Sequence, residues 1–224
     1  DFLVSHDLVD ERTRRLARRG CWGGLALSRP EGLEFLAAHG ITVMPWTRAD
    51  DRAQVLELFD RWGAERLFLK RSATRKGKGV WMFDREHVAQ VEWDPTADVF
   101  CPELDPGDGT VYKAEMCNGR ILLEWRCLRR APAEEFGGFA SASGWLSAPR
   151  QRYRLPADLR ADLRRLSAAL TARGVGYTSI DMMRRPDGAL VAIEVNTAHV
   201  ATWWSARYPQ TLWRYAAAVA ALVR

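Results

Sequence analysis

Several features are missing from this chain of 224 residues, and each absence excludes something. No run of about 18 uncharged apolar residues occurs, so no stretch reads as a membrane-spanning helix. The N-terminus carries no signal-peptide pattern, and a cytoplasmic protein is expected. Cysteine is scarce: Cys21, Cys101, Cys117 and Cys127 show no C-x-x-C spacing, and His6, His39, His87 and His199 form no ligand motif. Disulfide frameworks and zinc sites are thereby disfavoured, which leaves reduced core or surface side chains. A Walker A loop is absent, because no G-K-[ST] opens a helix. There is no internal repeat and no low-complexity tract.

What remains is the composition of an ordinary globular protein, long enough for one large domain or two small lobes with real cores. The net charge of +5 comes mostly from arginine and permits an anionic partner such as a nucleotide, an acidic metabolite or RNA. Residues 8–19 hold Arg12, Arg14, Arg15, Arg18 and Arg19 and read as a charged helix closed by Gly20, either a solvated face or a nucleic-acid contact.

The stretch 177–199 reads Y-T-S-I-D-M-M-R-R-P-D-G-A-L-V-A-I-E-V-N-T-A-H. Pro186, Asp187 and Gly188 are turn residues between two apolar, β-branched runs, which predicts a hairpin. Pairing Met182 with Ile193 and Ile180 with Val195 buries one face, and the same register sets Asp181 opposite Glu194 with Asn196 further along. Facing Cβ atoms lie roughly 4.5–5.5 Å apart, so two carboxylates and an amide converge. Such a group suits a hard cation that also meets phosphate oxygens, or it is a solvated hairpin face. The register requires a bulged turn, since a plain three-residue loop would pair Asp181 with Ile193.

Upstream, Ser28 and Glu31 form a capping box for a helix stopped by Gly40, followed by a short strand over 41–46. Val55, Leu56, Leu58 and Phe59 line one side of a second helix over 50–63, which feeds a strand over 66–70. The loop R-S-A-T-R-K-G-K-G-V then leads into a strand over 80–83. Gly77 and Gly79 let amides face phosphate oxygens, with Lys76 and Lys78 adding charge; a flexible basic turn is the alternative. Another strand is predicted over 99–104. A second hairpin, 111–117 with 120–128, turns at Asn118 and Gly119. With Cys117 opposite Arg120, Lys113 faces Glu124 and Val111 faces Arg126, while Tyr112, Ala114, Met116, Ile121, Leu123 and Trp125 take a buried face. The polar face is a cross-strand salt bridge or a floor for substrate. Residues 134–150 lack regular pattern and read as a lid or substrate loop. Leu159, Leu163, Leu166 and Leu170 mark a helix ending near Gly174, and a last helix over 203–222 packs on the sheet.

Together, D-x(12)-E-V-N, K-x(6)-G-x-G-V and this order of elements resemble the ATP-grasp superfamily, from about Ser28 onward. The resemblance implies an α+β fold in which two α/β lobes with antiparallel sheets clamp a nucleotide. Residues 1–28 are then a short basic segment, 29–103 a small lobe with the glycine loop, and 104–224 a C-terminal lobe with the metal hairpin. It implies ATP and Mg²⁺ (or Mn²⁺) as cofactors, with Asp181, Glu194 and Asn196 holding the metal. Arg29, Lys70, Lys76, Gly77, Lys78 and Gly79 meet the phosphates, the backbone around Phe100 to Glu103, with Cys101 between them, meets adenine, and Glu103 is a candidate for the ribose. Arg126, with Arg129 as its competitor, reaches the γ-phosphate or acyl-phosphate oxygen, unless Arg126 is a structural partner of Glu115 or Glu124. Lys113 touches the substrate carboxylate.

The implied activity is a carboxylate-amine ligase with an acyl-phosphate intermediate, acting on a small acid, amino acid or peptide and an amine. A kinase-type ATP-grasp enzyme and a non-catalytic nucleotide- or RNA-binding module are the alternatives. Family members often follow E-V-N with proline and glycine, whereas T-A-H-V-A-T-W-W stands here, so no substrate is carried over. His199, Trp203, Trp204 and Arg207 line an acceptor pocket or belong to the core. Fewer than thirty residues stand where the family has an N-terminal lobe, so a homodimer partner, another protein or a peptide substrate is expected to complete the surface.

Overall fold

A computed structural model describes residues 2–8, 20–24, 27–72, 80–104, 110–128, 140–141, 150–197 and 209–223. The N-terminal region contains a pair the sequence reading did not foresee: β1 (Phe2–Leu8) runs parallel to β2 (Gly20–Gly24), with Val4 opposite Trp22. G-C-W-G-G is glycine-rich, against strand propensity, which hid it. The predicted helix over 8–19 falls largely outside the described residues.

Helix α1 (Arg29–Ala38) starts at Ser28, whose side chain and that of Glu31 complete the capping box. Helix α2 (Arg52–Trp62) is capped by Asp51 and stops at Gly63, whose φ of 57° needs glycine. Strands β3 (Arg66–Lys70), β4 (Val80–Asp84) and β5 (Val99–Pro102) follow, with a 3₁₀ turn over Arg85–Gln90 after β4. Next come β6 (Thr110–Cys117), β7 (Arg120–Leu128), β8 (Ala140–Ser141) and β9 (Arg150–Arg152). Helix α3 (Ala157–Ala172), β10 (Thr178–Arg184), β11 (Leu190–Asn196) and α4 (Pro209–Val223) complete the described chain. None of the described helices is long and apolar enough to cross a membrane.

The strands form a four-stranded sheet, β5-β3-β4-β8, and a five-stranded sheet, β11-β10-β6-β7-β9, antiparallel throughout. Within the segment predicted as lid loop, β8 pairs with β4 in the small sheet, and at its end β9 pairs with β7 in the large one.

Alternation along β3 to β5 sends side chains to two cores. Leu67, Leu69, Phe83 and Phe100 pack beneath Val55, Leu58 and Phe59 of α2. Phe68, Val80, Met82 and Cys101 point the other way and join the core of the large sheet. The same apolar cluster takes in Leu33 and Leu36 of α1, Met44, and Leu163, Leu166 and Leu170 of α3. At about 1.5–3 kcal/mol for each large apolar side chain buried, this shared core binds the two sheets firmly.

The predicted strand over 41–46 is instead an extended strap with an isolated bridge at each end, Val43 to Ala192 in β11 and Thr47 to Phe100 in β5. Met44 N–H donates to the Ala192 carbonyl (3.0 Å) and Thr47 N–H to that of Phe100 (3.0 Å), so the strap touches both sheets. In α4, Thr211 and Ala218 are buried against the large sheet, whereas Leu212 and Trp213 are exposed.

Candidate functional site

The hairpin β10–β11 carries the expected pairs Asp181–Glu194 and Ile180–Val195, with Asn196 opposite Ser179. Its bulge, however, is not at the turn. Met182 pairs with Ala192 rather than Ile193, so Ile193 is the extra residue, one position from Glu194. The bulge aims the Ile193 carbonyl at Lys70 Nζ, which donates to it at 3.2 Å.

A second bulge corrects the neighbouring hairpin. Asn118 and Gly119 have positive φ (48° and 67°) and Cys117 faces Arg120 as predicted. Leu122 is then skipped, and every later pair shifts by one: Lys113 faces Trp125, Tyr112 faces Arg126, and Val111 faces Cys127. Leu122 is the counterpart of Ile193, since its carbonyl also accepts from a cation, Arg214 Nη1 at 3.3 Å. Both bulges fall in unbroken apolar runs, residues 121–123 and 189–193, which interrupt the strand alternation. That interruption is the signal in the sequence that the alternation argument overlooked.

Across the five strands, one row on one face now reads Glu194, Asp181, Lys113, Trp125, Arg152. Lys113 Nζ lies 3.0 Å from Asp181 Oδ1, and Asn196 Nδ2 donates to Asp181 Oδ2 at 3.2 Å. Arg29, the first residue of α1, places Nη1 3.2 Å from Glu194 Oε1, while its Nε donates to the Arg71 carbonyl at 3.3 Å. Gly32, one turn on, permits this approach: a Cβ there would stand 2.8 Å from Val195 Cγ1. Lys70, at the end of β3 and 8% exposed, is held by Ile193 O and by Met44 Sδ (3.2 Å), with no carboxylate among the described residues at ion-pair distance.

The titration behaviour follows from this crowding. Burial, and secondarily the neighbouring Arg29, pulls the Lys70 ammonium below its ordinary range. Burial pushes Asp181 above the usual carboxylate range, with Glu194 adding to the rise and Lys113 opposing it. For Lys113, burial acts downward, but the charges of Asp181 and Glu115 more than offset it and the pKa is raised. Glu115 is fully buried and accepts from Trp125 Nε1 at 3.1 Å, fixing the indole beside Lys113. Arg150 lies 5.2 Å over the same ring, so Glu115, Trp125, Arg150 and Arg152 belong to the face that the sequence reading assigned to Arg126.

Arg126 itself points the other way. Displaced by the Leu122 bulge, it sits 5.4 Å over the Tyr153 ring, on the opposite face from Asp181. Glu124 is on that face too, bound to Arg160 at 3.0 Å. At Phe100 both backbone groups bond Thr47 (2.8 and 3.0 Å). Glu103 is gripped by both Arg66 nitrogens, at 2.8 and 2.9 Å, so a ribose would have to share it. Cys101 is buried at the Lys70 side of the cleft, its thiol pKa raised by burial. Lys76, Gly77, Lys78, Gly79, Arg129, His199, Trp203, Trp204 and Arg207 lie outside the described residues.

The structure therefore brings together Arg29, Lys70, Lys113, Asp181, Glu194 and Asn196. Two carboxylates and an amide offer hard oxygen donors, the set that Mg²⁺ or Mn²⁺ takes. Among the described residues no group of three His, Cys, Asp or Glu converges, so a metal here would rest on the two carboxylates and the amide. Asp181, held high by burial and a facing carboxylate, is a group that a nearby cation would relieve.

No family model matches this chain, and no curated protein matches it. Solved structures do. D-cycloserine synthetase DcsG superposes with a TM-score of 0.67 at 20% identity, covering 89% of this chain and 71% of that one. The ATP-grasp ligase PsnB, complexed with precursor peptide PsnA2 and AMPPNP, gives 0.61 at 16% identity, covering 88% of this chain and 60% of that one. D-alanine–D-alanine ligase from Bacillus anthracis gives 0.59 at 18% identity, covering 88% and 68%. Against PsnB, the chain spans about three fifths of the neighbour's length.

Proposed function

On the premise that this chain has the ATP-grasp fold, we propose that it is an ATP-dependent ligase joining a carboxylate to an amine. The observation that carries this is Lys70, a buried ammonium with no carboxylate partner among the described residues, beside two facing carboxylates. A buried cation of this kind calls for an anion, and the carboxylates call for a divalent metal to accompany it. A triphosphate with its metal supplies both.

In this reading Lys70 and Arg29 bind phosphate oxygens, and Asp181, Glu194 and the Asn196 amide oxygen hold Mg²⁺. The metal would neutralise charge on the transferring phosphoryl group. A carboxylate oxygen of the substrate attacks the γ-phosphorus, ADP leaves, and an amine then attacks the acyl carbon and expels phosphate. Such chemistry needs in-line positioning and charge neutralisation more than covalent help from the protein. Lys113 orients the acyl group from its place beside Asp181. Neighbours with related folds include PsnB, solved with a precursor peptide, which makes a peptide carboxylate one candidate substrate class.

Calorimetric titration of ATP with and without Mg²⁺, into wild type and Glu194→Gln, tests the clamp. Magnesium-dependent binding that the variant loses is the expected result. Absence of binding in wild type would overturn the reading. Release of ADP and phosphate dependent on both an acid and an amine then identifies the ligase, whereas a phosphorylated product would identify a kinase.

A further inference from the structure

Both carboxylates that the preceding reading assigns to the metal are already paired, and the amide is turned toward one of them. Glu194 holds Arg29 (3.2 Å), Asp181 holds Lys113 (3.0 Å), and Asn196 turns its amide nitrogen, not its oxygen, toward Asp181 (3.2 Å). We propose that Arg29 and Lys113 are exchangeable counter-ions that occupy the two carboxylates when no nucleotide is bound. The divalent cation and the nucleotide then enter as one unit, and each binds poorly without the other. This rests on the reading of the site as a metal-nucleotide clamp.

The charge balance supports it. Three cations, Arg29, Lys70 and Lys113, stand among three carboxylates, Asp181, Glu194 and Glu115, so the empty cluster is close to neutral. A divalent cation arriving alone would make it strongly positive and would have to expel two ion pairs. A triphosphate arriving alone would meet Asp181 and Glu194. Arriving together, the phosphates receive the displaced Arg29 guanidinium, the metal takes the carboxylates, and Lys113 is freed toward the acyl group. Only contacts of opposite sign are then left, in a site where low dielectric makes each one count.

Arg29 is built for such an exchange. It is the first residue of α1, its backbone N–H is fixed by Ser72 Oγ (3.1 Å) and its Nε by the Arg71 carbonyl (3.3 Å). With the backbone held by Ser72, the guanidinium can exchange Glu194 for a phosphate at Nη1 while the helix, and the Nε bond to Arg71, stay in place. Lys113 has only to extend from the floor of the same face.

The test reads binding, not turnover. Free Mn²⁺ is followed by its paramagnetic resonance signal while titrating nucleotide-free wild type, Arg29→Met and Lys113→Met, and again with ADP present. Wild type is expected to bind Mn²⁺ weakly without nucleotide. Arg29→Met should tighten Mn²⁺ binding by about tenfold, or about 1.4 kcal/mol, while weakening metal-free ADP binding. These opposite signs mark a counter-ion, because general damage to the fold weakens both. In wild type, ADP and Mn²⁺ should enhance one another by the same factor, as linkage demands, and that factor should shrink in Arg29→Met. Adding Glu194→Gln to Arg29→Met should abolish the gain in Mn²⁺ affinity, which locates the metal. Unchanged or weaker Mn²⁺ binding in Arg29→Met would overturn the exchange even if metal-nucleotide binding to wild type is intact. If wild type binds no nucleotide with metal present, the clamp reading and this inference fall together.

Discussion

Burying an ammonium against only a carbonyl and a thioether costs free energy, and Lys70 does so at 8% exposure. Its ordinary pKa of 10.5 is lowered in the fold, chiefly by burial. The unfolded chain therefore keeps that proton to higher pH than the folded one. Between the folded pKa and 10.5, stability contributed by this group rises with pH, and below the folded pKa its full cost is present. Lys70→Met should raise the stability of the nucleotide-free protein at neutral pH by roughly 1 kcal/mol. It should also flatten the alkaline rise and abolish nucleotide binding. Urea denaturation of both proteins across the alkaline range measures the first two effects, and calorimetry the third. A variant that is less stable at neutral pH would show that the Ile193 and Met44 contacts outweigh the burial cost.

At the scale of elements, α1 is set by the absence of a side chain at Gly32. In an ordinary helix, glycine to alanine stabilises by up to about 1 kcal/mol. Here the added Cβ would meet Val195 Cγ1 at 2.8 Å, on a β-branched residue with little rotamer freedom. Gly32→Ala should instead destabilise by about 1–3 kcal/mol and loosen Arg29 from Glu194. Adding Val195→Ala should recover much of the loss in a thermal melt; failure of that rescue would place the strain elsewhere. This close approach was not legible in the sequence, where Gly32 is one of several glycines. The capping box at Ser28, the helix end at Gly63, the Asn118–Gly119 turn and the convergence of Asp181, Glu194 and Asn196 were legible, because each depends on local chemistry or on alternation. The placement of Arg126 was not, since one unanticipated bulge at Leu122 reverses the face of everything after it. The β1–β2 pair joins strands in parallel, and such pairing leaves no turn signature to read.

The molecule as a whole should unfold in one step. Phe68, Met82 and Cys101 from the small sheet and Tyr112, Ile180 and Met182 from the large one belong to one apolar cluster. Saturation with metal and nucleotide at about a hundredfold over Kd adds about 2.7 kcal/mol, which for a chain of this size is a rise in Tm of about 5–10 °C. Differential scanning calorimetry should show a single peak moving by that amount, and no movement for Lys70→Met. Two separate peaks would mean that the sheets melt independently. The strap between the sheets adds a geometric constraint. Met44 is bonded to Ala192 in the large sheet and Thr47 to Phe100 in the small one, with Pro45 and Trp46 between them. Fully extended, three residue steps reach at most roughly 10–11 Å, so the sheets are pinned at one corner like pages at a spine. Any widening of the cleft is a swing about that corner, large at the rim and slight at Lys70, whose ammonium rests on Met44 at the pivot.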